Sequence, residues 1–183
     1  MKLLLAVAFI CVVVFHAQAT GDASQDPSCG LSVTTPPPSA ATTVGPEEVT
    51  SRLHLVSQPD SPVQIVATDF TGMQLLISGN SYTFQQNAVL EVSNRSNQVI
   101  ERIDVRVMVG PCLRGAPGGG PFWMGRLLPG ETTRIRVSGG AGSGSGTGTV
   151  RVWAWVDRVD VNACVYKPAQ IIPRSLCDAG GLR

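Results

Sequence analysis

Ile103-Asp104-Val105-Arg106-Val107-Met108-Val109 is the stretch that decides the fold. Ile103, Val105, Val107 and Val109 alternate with Asp104, Arg106 and Met108. A period of two places the aliphatic set on one face of a β-strand and the polar set on the other. Gly110-Pro111 ends the strand, because proline has no N–H to give the ladder. Working outward, Val63–Phe70, Met73–Ile77 and Tyr82–Phe84 read as strands, with Gly79-Asn80 as a turn between the last two. Ala88, Leu90 and Val92 share one face of the next strand, and Asn94–Asn97 supplies the following turn. Downstream, Phe122–Leu128 and Thr133–Val137 flank Pro129-Gly130, a pair suited to a tight turn. In the last hairpin Val150, Val152, Ala154 and Val156 form one face, and Arg151, Trp153, Trp155 and Asp157 the other. Val159 and Val161 continue the apolar set one residue out of phase, which predicts a β-bulge at Asp157-Arg158. Val165-Tyr166 closes the series. Seven or eight short strands with almost no helical periodicity predict an all-β, two-layer antiparallel sandwich.

The N-terminus sets the compartment. Lys2 precedes an apolar run from Leu3 to Phe15, and Ala17-Gln18-Ala19 offers small residues for cleavage. This reads as a secretory signal peptide over residues 1–19, cut after Ala19. The run is too short to span a bilayer comfortably, so no membrane insertion is expected after cleavage, and the product is secreted or periplasmic. Residues 20–60 are rich in Pro, Thr and Ser, with Pro36-Pro37-Pro38 favouring extended chain, and read as a mostly irregular arm. Gly45-Pro46-Glu47-Glu48 could open one short helix through Leu53. The sandwich domain is assigned to residues 61–172 and a tail to 173–183. Gly139–Gly148 is nearly pure Gly and Ser and reads as a flexible loop.

Cleavage removes Lys2 from the 14 basic residues, leaving 13 against 13 acidic ones. A chain so balanced, with no basic run, is not expected to bind nucleic acid by counterion release. Four cysteines remain of five: Cys29, Cys112, Cys164 and Cys177. An even number in an exported chain points to two disulfides, and three pairings satisfy it. The short segment between Cys164 and Cys177, with Pro168 and Pro173, favours joining those two and leaving Cys29 for Cys112. Sequence alone does not choose among the pairings.

Ala88–Ile100, Leu128-Pro129-Gly130-Glu131-Thr132 and Val150–Tyr166 together resemble passages of immunoglobulin-like modules of exported bacterial proteins, including FxLYD-type domains. The resemblance covers residues 63–168. It implies an immunoglobulin-like or fibronectin type III-like sandwich and carries no catalytic residue across.

Catalytic constellations are missing from the sequence. His54 is the one histidine after residue 19, and a zinc site draws on several His or Cys ligands at short spacings. There is no G-x-S-x-G elbow, and Gly140–Gly146 lacks the Gly-Lys-Ser/Thr ending of a phosphate loop. The acids are scattered, and their Arg neighbours predict cross-strand ion pairs on outer faces. Asn94-Arg95-Ser96 matches a glycosylation sequon, discounted for a bacterial chain. One feature suggests binding. With the valines turned to the core, Trp153 and Trp155 face outward beside Arg151, a combination typical of interaction hot spots and sugar platforms. Against this, the rings could belong to the core, lie beneath the arm or stack on Arg134 and Arg136. The expectation is an exported, non-enzymatic sandwich that binds a protein or glycan at the cell envelope or outside it, with no cofactor. A structural spacer is the alternative, and a small thiol enzyme or hydrolase a remote one.

Overall fold

A computed structural model describes residues 30–33, 40–112, 120–146, 148–172 and 176. The signal segment with Ala19, the Pro36–Pro38 run, most of the Gly-Pro loop before Pro121 and nearly all of the tail lie outside the described residues, as do Cys29 and Cys177. In chain order the elements are β1 (Thr42–Val44), α1 (Glu47–Thr50), β2 (Leu53–Leu55), β3 (Val63–Asp69), β4 (Gln74–Ser78), β5 (Ser81–Asn94), β6 (Ile100–Gly110), β7 (Phe122–Leu127), β8 (Thr132–Ser145), β9 (Arg151–Val161) and β10 (Cys164–Tyr166).

They form two packed five-stranded sheets, an all-β sandwich. In the first, long β5 pairs with β8 along one side, while β3 and β4 divide the other; β1 lies outside β3. In the second, β6 and β9 pair along their length, β7 flanks β6, and β2 and β10 divide the free side of β9. The inner faces carry the aliphatic residues of the alternating pattern. Leu90, Val92, Ile103, Val105, Ile135, Val152, Val156, Val159 and Val161 all belong to one buried cluster. Each such side chain stabilises the fold by about 1.5–3 kcal/mol relative to exposure. The phase change in β9 is the expected bulge. Asp104 pairs with Arg158 and Val105 with Val156, so Asp157 is the extra residue. It returns Val159 and Val161 to the core side.

Three expectations are corrected. The sheets are mixed, because β1 runs parallel to β3 and β2 parallel to β9. These two strands, with α1 between them, come from the segment read as an irregular arm. Over residues 40–60 that arm is woven into both sheets, and Val49 of α1 is fully buried. Three-residue strands are too short to show a period, which is why the sequence pattern hides them. Finally, the Gly-Ser run is strand as far as Ser145. Its glycines pair across from aromatic residues, Gly142 with Phe84 and Gly144 with Tyr82. The rings lie over the glycine backbone, where a Cβ on Gly142 would stand 2.7 Å from the Phe84 ring. Tyr82 and Phe84 stack on each other with centroids 6.4 Å apart. The aromatic residues of one strand thus supply the apolar cover that the glycines of the next cannot.

Candidate functional site

The tryptophans are not on an open face. Trp153 and Trp155 do point away from the valines, as alternation requires, yet they are 0 % and 1 % exposed. They form a second cluster with Val56, against which Met108, Ile172 and Leu176 pack. The cover is made of two chain segments. Val56 donates its N–H to the Ala154 carbonyl, extending β2 along β9, and Ser57 bridges Ile171 in antiparallel sense. The indole nitrogens are both satisfied: Trp153 donates to the Gly110 carbonyl at 3.1 Å and Trp155 to Asp157 Oδ1 at 3.3 Å. The proposed Trp153/Trp155/Arg151 platform is therefore closed, because β9 is central to its sheet and wrapped on both faces. Trp123, in β7, is half-buried against the main core.

His54 packs edge-on against Trp153, centroids 5.1 Å apart. Burial, and then the charge of Arg151, lower its pKa from the usual 6.5, so the neutral ring is favoured. Asn94 of the sequon is also structural. Its side-chain nitrogen donates to the Gln98 and Leu127 carbonyls, and its oxygen accepts from the Ser96 N–H and hydroxyl. At 1 % exposure it is a buried staple of the β5–β6 turn and offers no room for a glycan in the folded chain.

The expected ion pairs exist, in part along single strands. Arg102–Asp104 (2.7 Å) and Arg158–Asp160 (2.6 Å) join residues two apart, while Arg106–Asp157 and Arg134–Glu91 cross between strands. Arg102 also stands 4.7 Å over the Phe122 ring. No disulfide joins two described residues. Cys112 and Cys164 each carry a disulfide-bonded sulfur.

A concave feature among the described residues lies elsewhere, on the outer face of the first sheet. Register sets two rows side by side. Val44, Asp69, Val89 and Arg136 are successive partners across β1, β3, β5 and β8, and so are Thr42, Ala67, Glu91 and Arg134. Together they line an open groove of about 440 Å³, within the size range of small-ligand sites. Val44, Ala67 and Val89 give it an apolar floor. Glu91 accepts from Arg134 at 2.9 Å, and Asp69 accepts from the Thr71 hydroxyl and N–H. Those two hydrogen bonds hold the Asp69 carboxyl below its ordinary pKa, with a smaller contribution from Arg134. Arg136 forms no ion pair among the described residues. A guanidinium beside an apolar floor can take a carboxylate or sulfate group in bidentate fashion while aliphatic contacts orient the rest. In the sequence Arg134 and Arg136 show only as the polar alternates of Thr133, Ile135 and Val137, because the strands that bring Val44, Asp69 and Glu91 beside them are far apart in the chain.

Among the described residues no three His, Cys, Asp or Glu side chains converge as a metal site requires. Comparison with known proteins returns no matching family model, no matching curated protein and no matching solved structure.

Proposed function

We propose that this chain is an exported, non-enzymatic β-sandwich that binds a partner at the cell envelope or beyond it through the groove of β1, β3, β5 and β8. The observation that carries the reading is the juxtaposition of Arg136, free of an ion pair among the described residues, with the apolar floor of Val44, Ala67 and Val89. The partner this chemistry fits is an extended peptide or a glycan bearing an acidic group. Export rests on the Lys2–Ala19 signal segment.

The test is binding of fluorescently labelled mature protein to intact cells and to arrays of acidic glycans and peptides. Wild type is compared with Arg136→Glu and with Val89→Asp. Saturable binding that both substitutions weaken at least tenfold, with unchanged melting temperature, supports the reading. Equal binding by the variants removes the groove as the site. A structural role is favoured by one observation, the sealing of Trp153 and Trp155 beneath Val56 and Ile172. It becomes the better reading if wild type binds nothing in these assays.

A further inference from the structure

The four cysteines can be paired from the positions of their neighbours in the second sheet, independently of what the groove binds. Cys112 and Cys164 mark opposite ends of that sheet. Cys112 follows Gly110, the last residue of β6, which pairs with Arg151 at the start of β9. Cys164 pairs with Val161 at the end of β9, across a tight turn in which Asn162 and Ala163 both have positive φ. Ten residues separate Arg151 from Val161, about 33 Å at about 3.3 Å per residue. A disulfide holds its Cα atoms within about 7 Å. Cys112 and Cys164 therefore have different partners.

The N-terminal segment arrives at the Cys164 end. Val33 bridges Ser96, Ser32 accepts from the Asn97 N–H at 3.2 Å, and the Ser32 N–H donates to the Asn97 side chain. Asn97 lies three residues before Ile100, the partner of Val161, and Asn162 donates to the Gln98 side chain at 3.0 Å. Gly30 is two residues from Ser32, and consecutive Cα atoms are about 3.8 Å apart. Cys29 precedes Gly30 in sequence, so chain connectivity alone limits it to about 11 Å from Ser32. Cys112, by contrast, is about 30 Å away along β6.

The C-terminal segment leaves that end. After β10 the chain runs back along the sheet, with Ile171 bridging Ser57 in antiparallel sense and Leu176 packing on the Trp153–Trp155 cluster. Trp153 pairs with Met108 and donates to the Gly110 carbonyl, two residues from Cys112. Trp155, the nearer of the two rings to Cys164, is six residues from Val161 along β9, about 20 Å. Leu176, which Cys177 follows in sequence, thus packs toward the Cys112 end of the sheet.

We infer that the disulfides are Cys29–Cys164 and Cys112–Cys177, one clamp at each end of the second sheet, the second fastening the C-terminal cover over the tryptophans. This reverses the pairing that the short Cys164–Cys177 segment favours. Trypsin separates the four cysteines cleanly, since cleavage after Arg52, Arg106, Arg114, Arg158 and Arg174 puts each in its own peptide, and Lys167-Pro168 resists cutting. The unreduced, alkylated mature protein is digested and its linked peptides are identified by mass spectrometry. The expected species join 159–174 to the peptide ending at Arg52, and 107–114 to 175–183. A species joining 159–174 to 175–183, or 107–114 to the peptide ending at Arg52, overturns the assignment. A second variant, Cys112→Ser with Cys177→Ser, should be exported with no free thiol; two free thiols in it would refute the pairing equally.

Discussion

Gly144 sits directly across from Tyr82 in the β5–β8 ladder, and the tyrosine ring occupies the space a side chain at residue 144 would need. The ring is fixed there by stacking on Phe84 and by its hydroxyl, which donates to the Val109 carbonyl of the opposite sheet at 3.3 Å. Replacing a strand glycine normally gains about 0.5–1 kcal/mol, because the unfolded chain loses freedom. Overpacking costs about 1–3 kcal/mol, and here it wins. Gly144→Val is expected to destabilise by about 1–2 kcal/mol in urea unfolding. Combined with Tyr82→Ala, the valine should cost much less, giving a coupling energy of about 1 kcal/mol or more in the double-mutant cycle. Additive effects would mean that the ring does not rest on the glycine.

That pairing also shows where the sequence stops being readable. The alternations in β5, β6 and β9, and the phase slip at Asp157, are local and survive as read. Gly139–Ser145 looked like a loop because its ordering comes from Tyr82, Phe84 and Gln86, more than fifty residues earlier. Trp153 and Trp155 were correctly placed on the face opposite the valines; the alternative that they lie beneath the arm matches the position of Val56, whereas Ile172 and Leu176 were not foreseen. Val56, Ile172 and Leu176 have no periodic signal and act only because the chain ends cross that face. The groove was hidden for the same reason: its rows exist across four strands and along none.

Asn94 makes four hydrogen bonds from a side chain that is nearly inaccessible. Its main chain adds two, accepting from the Gly130 N–H and donating to the Glu131 carbonyl. Truncation leaves the Leu127 carbonyl and the Ser96 N–H without their partner. An orphaned buried polar group costs about 1–3 kcal/mol, so Asn94→Ala should destabilise by about 3 kcal/mol or prevent accumulation of folded protein. Asn94→Asp keeps the acceptor and loses both donors, and should be damaging too. Chemical denaturation of both variants, with expression yield as a control, decides this. A loss below about 1 kcal/mol would show that the turn closes without the side chain.

His54 gives the fold a pH dependence of known sign. Its folded pKa lies below the usual 6.5, chiefly through burial and secondarily through Arg151. The unfolded chain therefore takes up the proton first as pH falls. Stability is complete above about 6.5 and declines as pH drops through that value toward the lower folded pKa. His54 is the one histidine after Ala19, so few other groups titrate between pH 7.5 and 5.5. Melting temperature should fall over that range in wild type, and much less in His54→Phe, which keeps an aromatic ring against Trp153. Parallel curves for the two proteins would assign the decline to other groups.

Closure of the tryptophan cluster is open to direct measurement. Trp123 is half-buried in β7, so a Trp123→Phe background leaves only the covered pair as emitters. That protein should emit at short wavelength and resist quenching by acrylamide. Ile172 belongs to the cover and has no strand of its own to hold it down. Placing a carboxylate there, as Ile172→Asp, puts a charge against two indoles, and desolvating it costs more than a local opening of the segment. Emission should then shift to the red and quenching rise severalfold, while far-ultraviolet circular dichroism stays the same because β9 remains paired with β6. Ready quenching in the Trp123→Phe protein before any change at Ile172 would mean that the cover opens spontaneously, and that Trp153 and Trp155 return as candidates for the contact surface.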